Sequence, residues 1–310
     1  MIWLSWRQMR GEYVGLAVVL VVLAAALVGT GIEMRGFEGG LACLSVNAAP
    51  SCGGQGDFVR AFGTLFDLSG WLNVLPLLLG IFIGAPLVAR EIERGTHRLA
   101  WTQSVTRQRW IVVKITGIVA VAAIVGGVVV AVMTWWRQPW DLIQSSFDGA
   151  GFDFEGVMPI ACSLFALSLG VLAGTLIRRT IPAMAVTLAG FLAVRLPVEF
   201  LLRPHFMTPI TRLDTGNGAP PGAWILDAGL VDRHGNQVFE SQAFQLCGPS
   251  LVQGPKVAGG CLARYGIHSS LVYQPADRFW PFQFMEAGIY AALSVLCLTV
   301  AVVWIRRRMS

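Results

Sequence analysis

The chain has 310 residues, of which 55% are hydrophobic and only 13% are charged. Soluble domains carry about 25% charged residues, so a water-soluble globular fold is excluded and lipid is the expected solvent. The formal net charge is +5, but the basic residues gather at the ends of apolar runs. There they act as topology determinants, and no nucleic-acid partner is expected.

Six apolar stretches reach the length of about 20 residues that a helix needs to cross a ~30 Å hydrocarbon layer. Before the first, Ile2, Trp3, Trp6, Met9 and Tyr13 project to one side of a helix, with Gln8 and Glu12 elsewhere and Leu4 out of pattern. Residues 1–13 therefore read as an amphipathic interfacial helix whose Arg7 and Arg10 reach lipid phosphates. A plain extension of the first span is the alternative. The first span, 14–32, ends on Glu33, Met34 and Arg35 and not on a small-residue cleavage site, so it is not a cleaved leader. After a loop at 33–70, the second span, 71–89, contains Pro76, Pro86, Gly80 and Gly84. Proline predicts a bend, and the small-xxx-small pair permits close helix approach, within the chain or across a dimer. The third span, 111–134, holds Gly117, Gly126 and Gly127, which predict tight helix packing. A loop at 135–156 follows.

The fourth and fifth spans, 157–177 and 181–201, are joined by a two-arginine turn, so they are adjacent and antiparallel. Thr180 is placed to cap the fifth helix, with Pro182 in its first turn. Residues 202–282 form the longest segment outside the spans, and residues 283–310 hold the sixth span, 284–305, and a basic end. Turn signals at Asp214–Gly218, Pro220–Gly222 and His234–Asn236 mark the 202–282 segment, and runs such as Ala223–Leu226 and Val238–Phe244 read as strands. The expected fold is an all-α membrane protein with a small, mixed α/β external subdomain and a thin core.

If the spans alternate, thirteen basic residues fall on one side: Arg7, Arg10, Arg90, Arg94, Arg98, Arg107, Arg109, Lys114, Arg178, Arg179, Arg306, Arg307 and Arg308. The opposite short loops hold Arg35, Arg60 and Arg137. The positive-inside rule then puts both termini in the cytoplasm. Cys43, Cys52, Cys247 and Cys261 fall in the external segments, where disulfides persist, and the pairs 43–52 and 247–261 each close a short loop. Free thiols or cross-loop pairing are the alternatives. Cys162 and Cys297 read as apolar packing residues inside spans. His205, His234 and His268 lack the close spacing of a structural zinc site, so no metal is expected.

Arg195 and Glu199 are four residues apart at the outer end of the fifth span, and Glu286 lies at a similar depth in the sixth. Ionisable groups in a span are costly and face a cavity or a partner. The three read either as an outer gate or as a structural ion pair fixing two helix ends.

Residues 90–110 form a charged amphipathic connection. Glu91, Glu93, Arg94 and Arg98 are spaced to pair on a helix face, Gly95 and Thr96 permit a break and a fresh cap, and Leu99 and Trp101 supply apolar anchors. Such a unit suits docking to a soluble partner, and an ordinary solvated loop fits its charges equally well. The chain here resembles the permease subunits of type-2 ABC transporters. That family's pattern is an acidic residue, Glu-x-Gly-Thr, a short helix, a Val-Ser/Thr-Arg turn and a lysine at the next span. The matching positions are Glu91, Glu93, Gly95, Thr96, Val105, Thr106, Arg107 and Lys114, with Ser104 where many members have proline. The segments Trp3–Gln8 and Tyr273–Gln283 look like an actinobacterial branch.

The resemblance implies that two permeases pair, with a homodimer expected, in a bacterial plasma membrane. Two cytoplasmic ATPase subunits bind beneath, and the 90–110 loop, Arg98 included, and the amphipathic N-terminal helix pass their closure to the spans. It further implies export of drugs, peptides or lipids. No Gly-x-x-x-x-Gly-Lys-[Ser/Thr] occurs, and Lys114 and Lys256 are the only lysines, so ATP and magnesium belong to the partner and the chain is not an enzyme. Leu68-Ser69-Gly70 imitates the start of an ABC signature, but Trp71 follows and the match is chance. The competing classes are a sensor or scaffold with a ligand-binding external segment and, less favoured, a membrane-embedded enzyme.

Overall fold

The computed structural model describes residues 2–37, 55–95, 107–143, 145, 147, 149–214, 220–252 and 255–308. Among them, six helices are long and apolar enough to cross a membrane: Val14–Arg35, Gly56–Glu93, Trp110–Asp141, Met158–Ile177, Thr180–His205 and Ala276–Arg307. The fourth is the hub, packed on the second, third, fifth and sixth.

The seam between the second and fourth spans is built from glycine. A β-carbon on Gly80 would sit 2.6 Å from the Ala166 carbonyl oxygen, one on Gly84 2.7 Å from that of Leu167, and one on Gly174 2.5 Å from that of Ala85. The close approach expected of Gly80 and Gly84 is thus internal to the chain. The second span is irregular, with a 3-10 stretch over Gly70–Val74 and a π-turn over Gly80–Gly84. In the third span, Gly126 meets Ile160, while Gly117 and Gly127 face open space.

Residues 2–13 are not a separate helix: Ile2–Arg35 is one unbroken helix. A single glycine costs a helix about 1 kcal/mol without ending it, and Gly11 and Gly15 are the only weak points at that junction. The second half of the 33–70 loop is a helix, Gln55–Ser69, which runs on into the second span. Phe58 and Phe66 give it an apolar stripe, with ring centroids 5.0 Å and 4.4 Å from Trp140. The third span's helix continues to Asp141, and Gly149–Phe154 is a short helix.

Residues 210–274 contain one antiparallel sheet: β1 (Ile210–Asp214), β2 (Trp224–Val231), β3 (Gln237–Val238) and β4 (His268–Gln274), in the order β1-β4-β2-β3. The run Ala223–Leu226 opens β2. The run Val238–Phe244 is strand only at its first residue, because Glu240–Cys247 is helical. Gln242 reaches back to accept the Phe239 N–H, a capping interaction that starts the helix there. The turn between β2 and β3 has Gly235 at φ 82°. Hydrogen bonds from Asn236 and from the His234 backbone hold the Asp232 carboxyl below the usual carboxylate range. The core of this segment is thin: among the described residues, Ala243, Cys247, Leu262 and Ile267 form one small buried apolar group and Ala223, Leu271 and Tyr273 another. Cys247 and Cys261 are disulfide-bonded across it, with Cα atoms 5.9 Å apart. Cys43 and Cys52 lie outside the described residues. Cys162 and Cys297 are free and buried.

Candidate functional site

Two polar constellations mark opposite ends of the bundle. At the arginine-rich end, the second span stops at Glu93, and Gly95 follows with φ 70°. Glu91 accepts hydrogen bonds from Lys114 Nζ at 2.9 Å and from Trp110 Nε1 at 3.0 Å. Lys114 is buried, donates also to the Leu87 carbonyl at 2.7 Å, and lies 4.8 Å from the Trp110 ring centroid. The start of the third span is thereby fixed to the end of the second.

Glu93 fixes a third element. Its Oε2 accepts from the Thr180 N–H at 3.0 Å and from the Thr180 hydroxyl at 2.7 Å. Thr180 was expected to cap the fifth helix with its own side chain. Instead Thr180 is already helical, and the carboxylate from the second span satisfies its free N–H and complements the positive helix end. Arg178 makes the preceding turn possible by adopting φ 62°. Thr96, Arg98 and Thr106 lie outside the described residues, and Arg107 opens the helix Arg107–Asp141. The chain that leaves at 95 and returns at 107 is therefore held at its base to the second, third and fifth spans.

At the opposite end, next to the sheet, the structure brings Arg195, Glu199 and Glu286 together and adds Asp153 and Arg203. Arg195 contacts Asp153 Oδ2 at 2.5 Å, Glu286 Oε1 at 2.9 Å and Glu199 Oε2 at 3.3 Å. Arg203 contacts Asp153 Oδ1 and Glu286 Oε2, both at 2.6 Å. Arg195 also donates to the Tyr290 hydroxyl at 3.2 Å. Glu286 is fully buried, and Asp153 and Arg203 nearly so. Burying ions this deeply is costly unless each is paired and hydrogen-bonded, and this arrangement supplies both.

Arg203 was legible as the next i+4 step after Arg195 and Glu199. Asp153 sits in a short helix between spans with no periodic signal to point at it. The Tyr273–Gln283 segment positions the cluster. Gln283 donates to the Phe152 carbonyl at 2.7 Å and accepts from the Val157 N–H at 3.1 Å, which ties the Asp153 helix to the sixth span. Gln274 donates to the Met207 carbonyl at 2.7 Å and accepts from Arg278 at 2.6 Å, which joins β4 to the segment following the fifth span.

Between these ends, a lateral cavity of about 360 Å³ opens among the first, second, third and fifth spans. Leu16, Val19, Phe82 and Met184 make it apolar, with Arg90 and Thr180 also on its wall. No His/Cys/Asp/Glu group among the described residues has the geometry to hold a metal.

The family model described as ABC-2 membrane transporter related matches residues 17–203. The chain belongs to this family. The ABC-2 match runs from the first span to Arg203, so it takes in the Glu91–Lys114 and Glu93–Thr180 contacts and four of the five charged residues of the cluster. Glu286 lies beyond it. Members of the ABC-2 family are membrane components of transporters, and six apolar helices make this chain a multi-pass membrane protein. No curated protein and no solved structure matches the chain.

Proposed function

We propose that the chain is the membrane-spanning permease subunit of an ATP-driven exporter that moves hydrophobic or amphiphilic cargo out of a bacterial cell. Two separate ATPase subunits supply ATP, magnesium and hydrolysis, and a second copy of this chain completes a homodimeric pathway surrounded by lipid. Both termini and the 90–110 connection face the cytoplasm, and the 202–282 segment lies outside. The match of Trp3–Gln8 and Tyr273–Gln283 to an actinobacterial branch belongs to this reading.

The observation that carries it is the fixing of both ends of the 90–110 connection, in a chain of this family. A push on that connection reaches the second and third spans through Glu91 and the fifth through Glu93, whereas a loop that merely joined two spans would need neither. The lateral cavity supports an apolar cargo. Affinity purification of the tagged chain from its native cells tests the reading. A P-loop ATPase is expected to co-purify, with hydrolysis that changes on adding or removing this chain. Recovery of the chain without any ATPase would favour the sensor or scaffold class.

A further inference from the structure

The buried cluster is unequal in charge. With every group ionised, Asp153, Glu199 and Glu286 carry three negative charges against the two positive charges of Arg195 and Arg203. The excess is not shared evenly. Asp153 and Glu286 each touch both arginines at 2.5–2.9 Å and are closed off. Glu199 has one contact, at 3.3 Å to Arg195, and its side chain remains 24% exposed. Leu192 and Leu196 precede it by seven and three residues on the fifth span and Phe200 follows it, and these three are 37%, 47% and 65% exposed. The result is an under-compensated carboxylate among exposed apolar side chains of a helix long and apolar enough to cross a membrane, where a lone charge is costly.

We propose that Glu199 and these side chains form a binding site for a hydrophobic cation. The positive head pairs with the Glu199 carboxylate and completes the charge balance of the cluster. The apolar body lies along Leu196 and Leu192, and Phe200 adds an aromatic ring of the kind that attracts cations. A lipid ammonium headgroup and a free lipophilic cation share this chemistry. The site deepens the proposed function by naming a cargo class, and it rests on that reading only for the passage of the ligand. Binding is measured on the chain alone, so its failure is separate from a failure to find an ATPase.

The test is equilibrium binding of tetraphenylphosphonium to the purified full chain in maltoside micelles, beside the neutral triphenylphosphine oxide. Saturable binding of the cation is expected, with the neutral compound about tenfold weaker, the scale of one modest charge contact. Glu199→Gln removes that preference, while Glu199→Asp keeps it. Leu196→Arg, at an exposed position, places a fixed cation beside Glu199 and abolishes binding of the probe even if Glu199→Gln fails to fold. Added phosphatidylethanolamine displaces the probe if the natural occupant is a headgroup, and leaves it bound if the occupant is a free cation. Absence of saturable binding, as when a second copy covers these side chains, overturns the proposal. So does equal affinity for the two compounds, or a preference that survives Glu199→Gln or Leu196→Arg.

Discussion

At the scale of single residues, the cluster at the sheet end is the most demanding feature of the chain. Glu286 is fully buried and contacts both arginines at 2.6–2.9 Å. Glu286→Gln keeps the shape but withdraws the charge, and breaking a buried ion pair from one side costs about 3–5 kcal/mol. Thermal unfolding of the purified variant should show a loss of that order, and a loss below about 1 kcal/mol would mean the cluster is solvated. A stable Glu286→Gln protein without transport activity would favour the gate reading over the structural one. Three members of this cluster were legible because ionisable residues inside apolar runs stand out. Arg203 was legible in principle from its i+4 step. Asp153 was not, because its approach depends on how Gln283 fastens a short helix to a span 131 residues away.

At the scale of elements, the helices follow from apolar length, and their contacts follow from small residues. A methyl on Gly84 has no room, since the obstacle is the Leu167 backbone. Gly84→Ala is therefore expected to cost about 1–3 kcal/mol, as overpacking does. Gly117→Ala faces open space and should be neutral or stabilising by up to about 1 kcal/mol. Equal effects of the two on thermal unfolding would contradict the seam. Glu93→Ala removes the acceptor of two Thr180 hydrogen bonds and should lower the thermal unfolding midpoint, as the loss of a helix cap does. It should also weaken the response of ATP hydrolysis to this chain. Sequence periodicity located the spans but not what fills their ends. The capping role expected of Thr180 went to a carboxylate 87 residues earlier, a pairing that only the packed bundle creates. The Gln55–Ser69 helix did carry a signal, in the helical spacing of Phe58, Phe62 and Phe66, but glycine and cysteine nearby made the region read as loop.

At the scale of the whole molecule, apolar burial in the bundle contrasts with the thin core of the sheet segment. With so few buried side chains there, the Cys247–Cys261 bridge is expected to contribute about 2–4 kcal/mol. Reducing it, or replacing both cysteines by serine, should expose the segment to proteolysis while the spans stay folded. Unchanged protease resistance would contradict that expectation. The β4–Gln274–Arg278 connection then acts as the strut between this segment and the charged cluster, linking what lies beyond the fifth span to the bundle.

The proposed role depends on the direction in which these helices cross the bilayer. On a background without reactive cysteines, Ser104→Cys and Ser241→Cys are to be labelled by a membrane-impermeant thiol reagent in right-side-out and inside-out vesicles. With both termini cytoplasmic, Ser104→Cys is expected to react only in inside-out vesicles and Ser241→Cys only in right-side-out ones. Labelling of both from the same side, or the reverse pattern, would contradict that orientation.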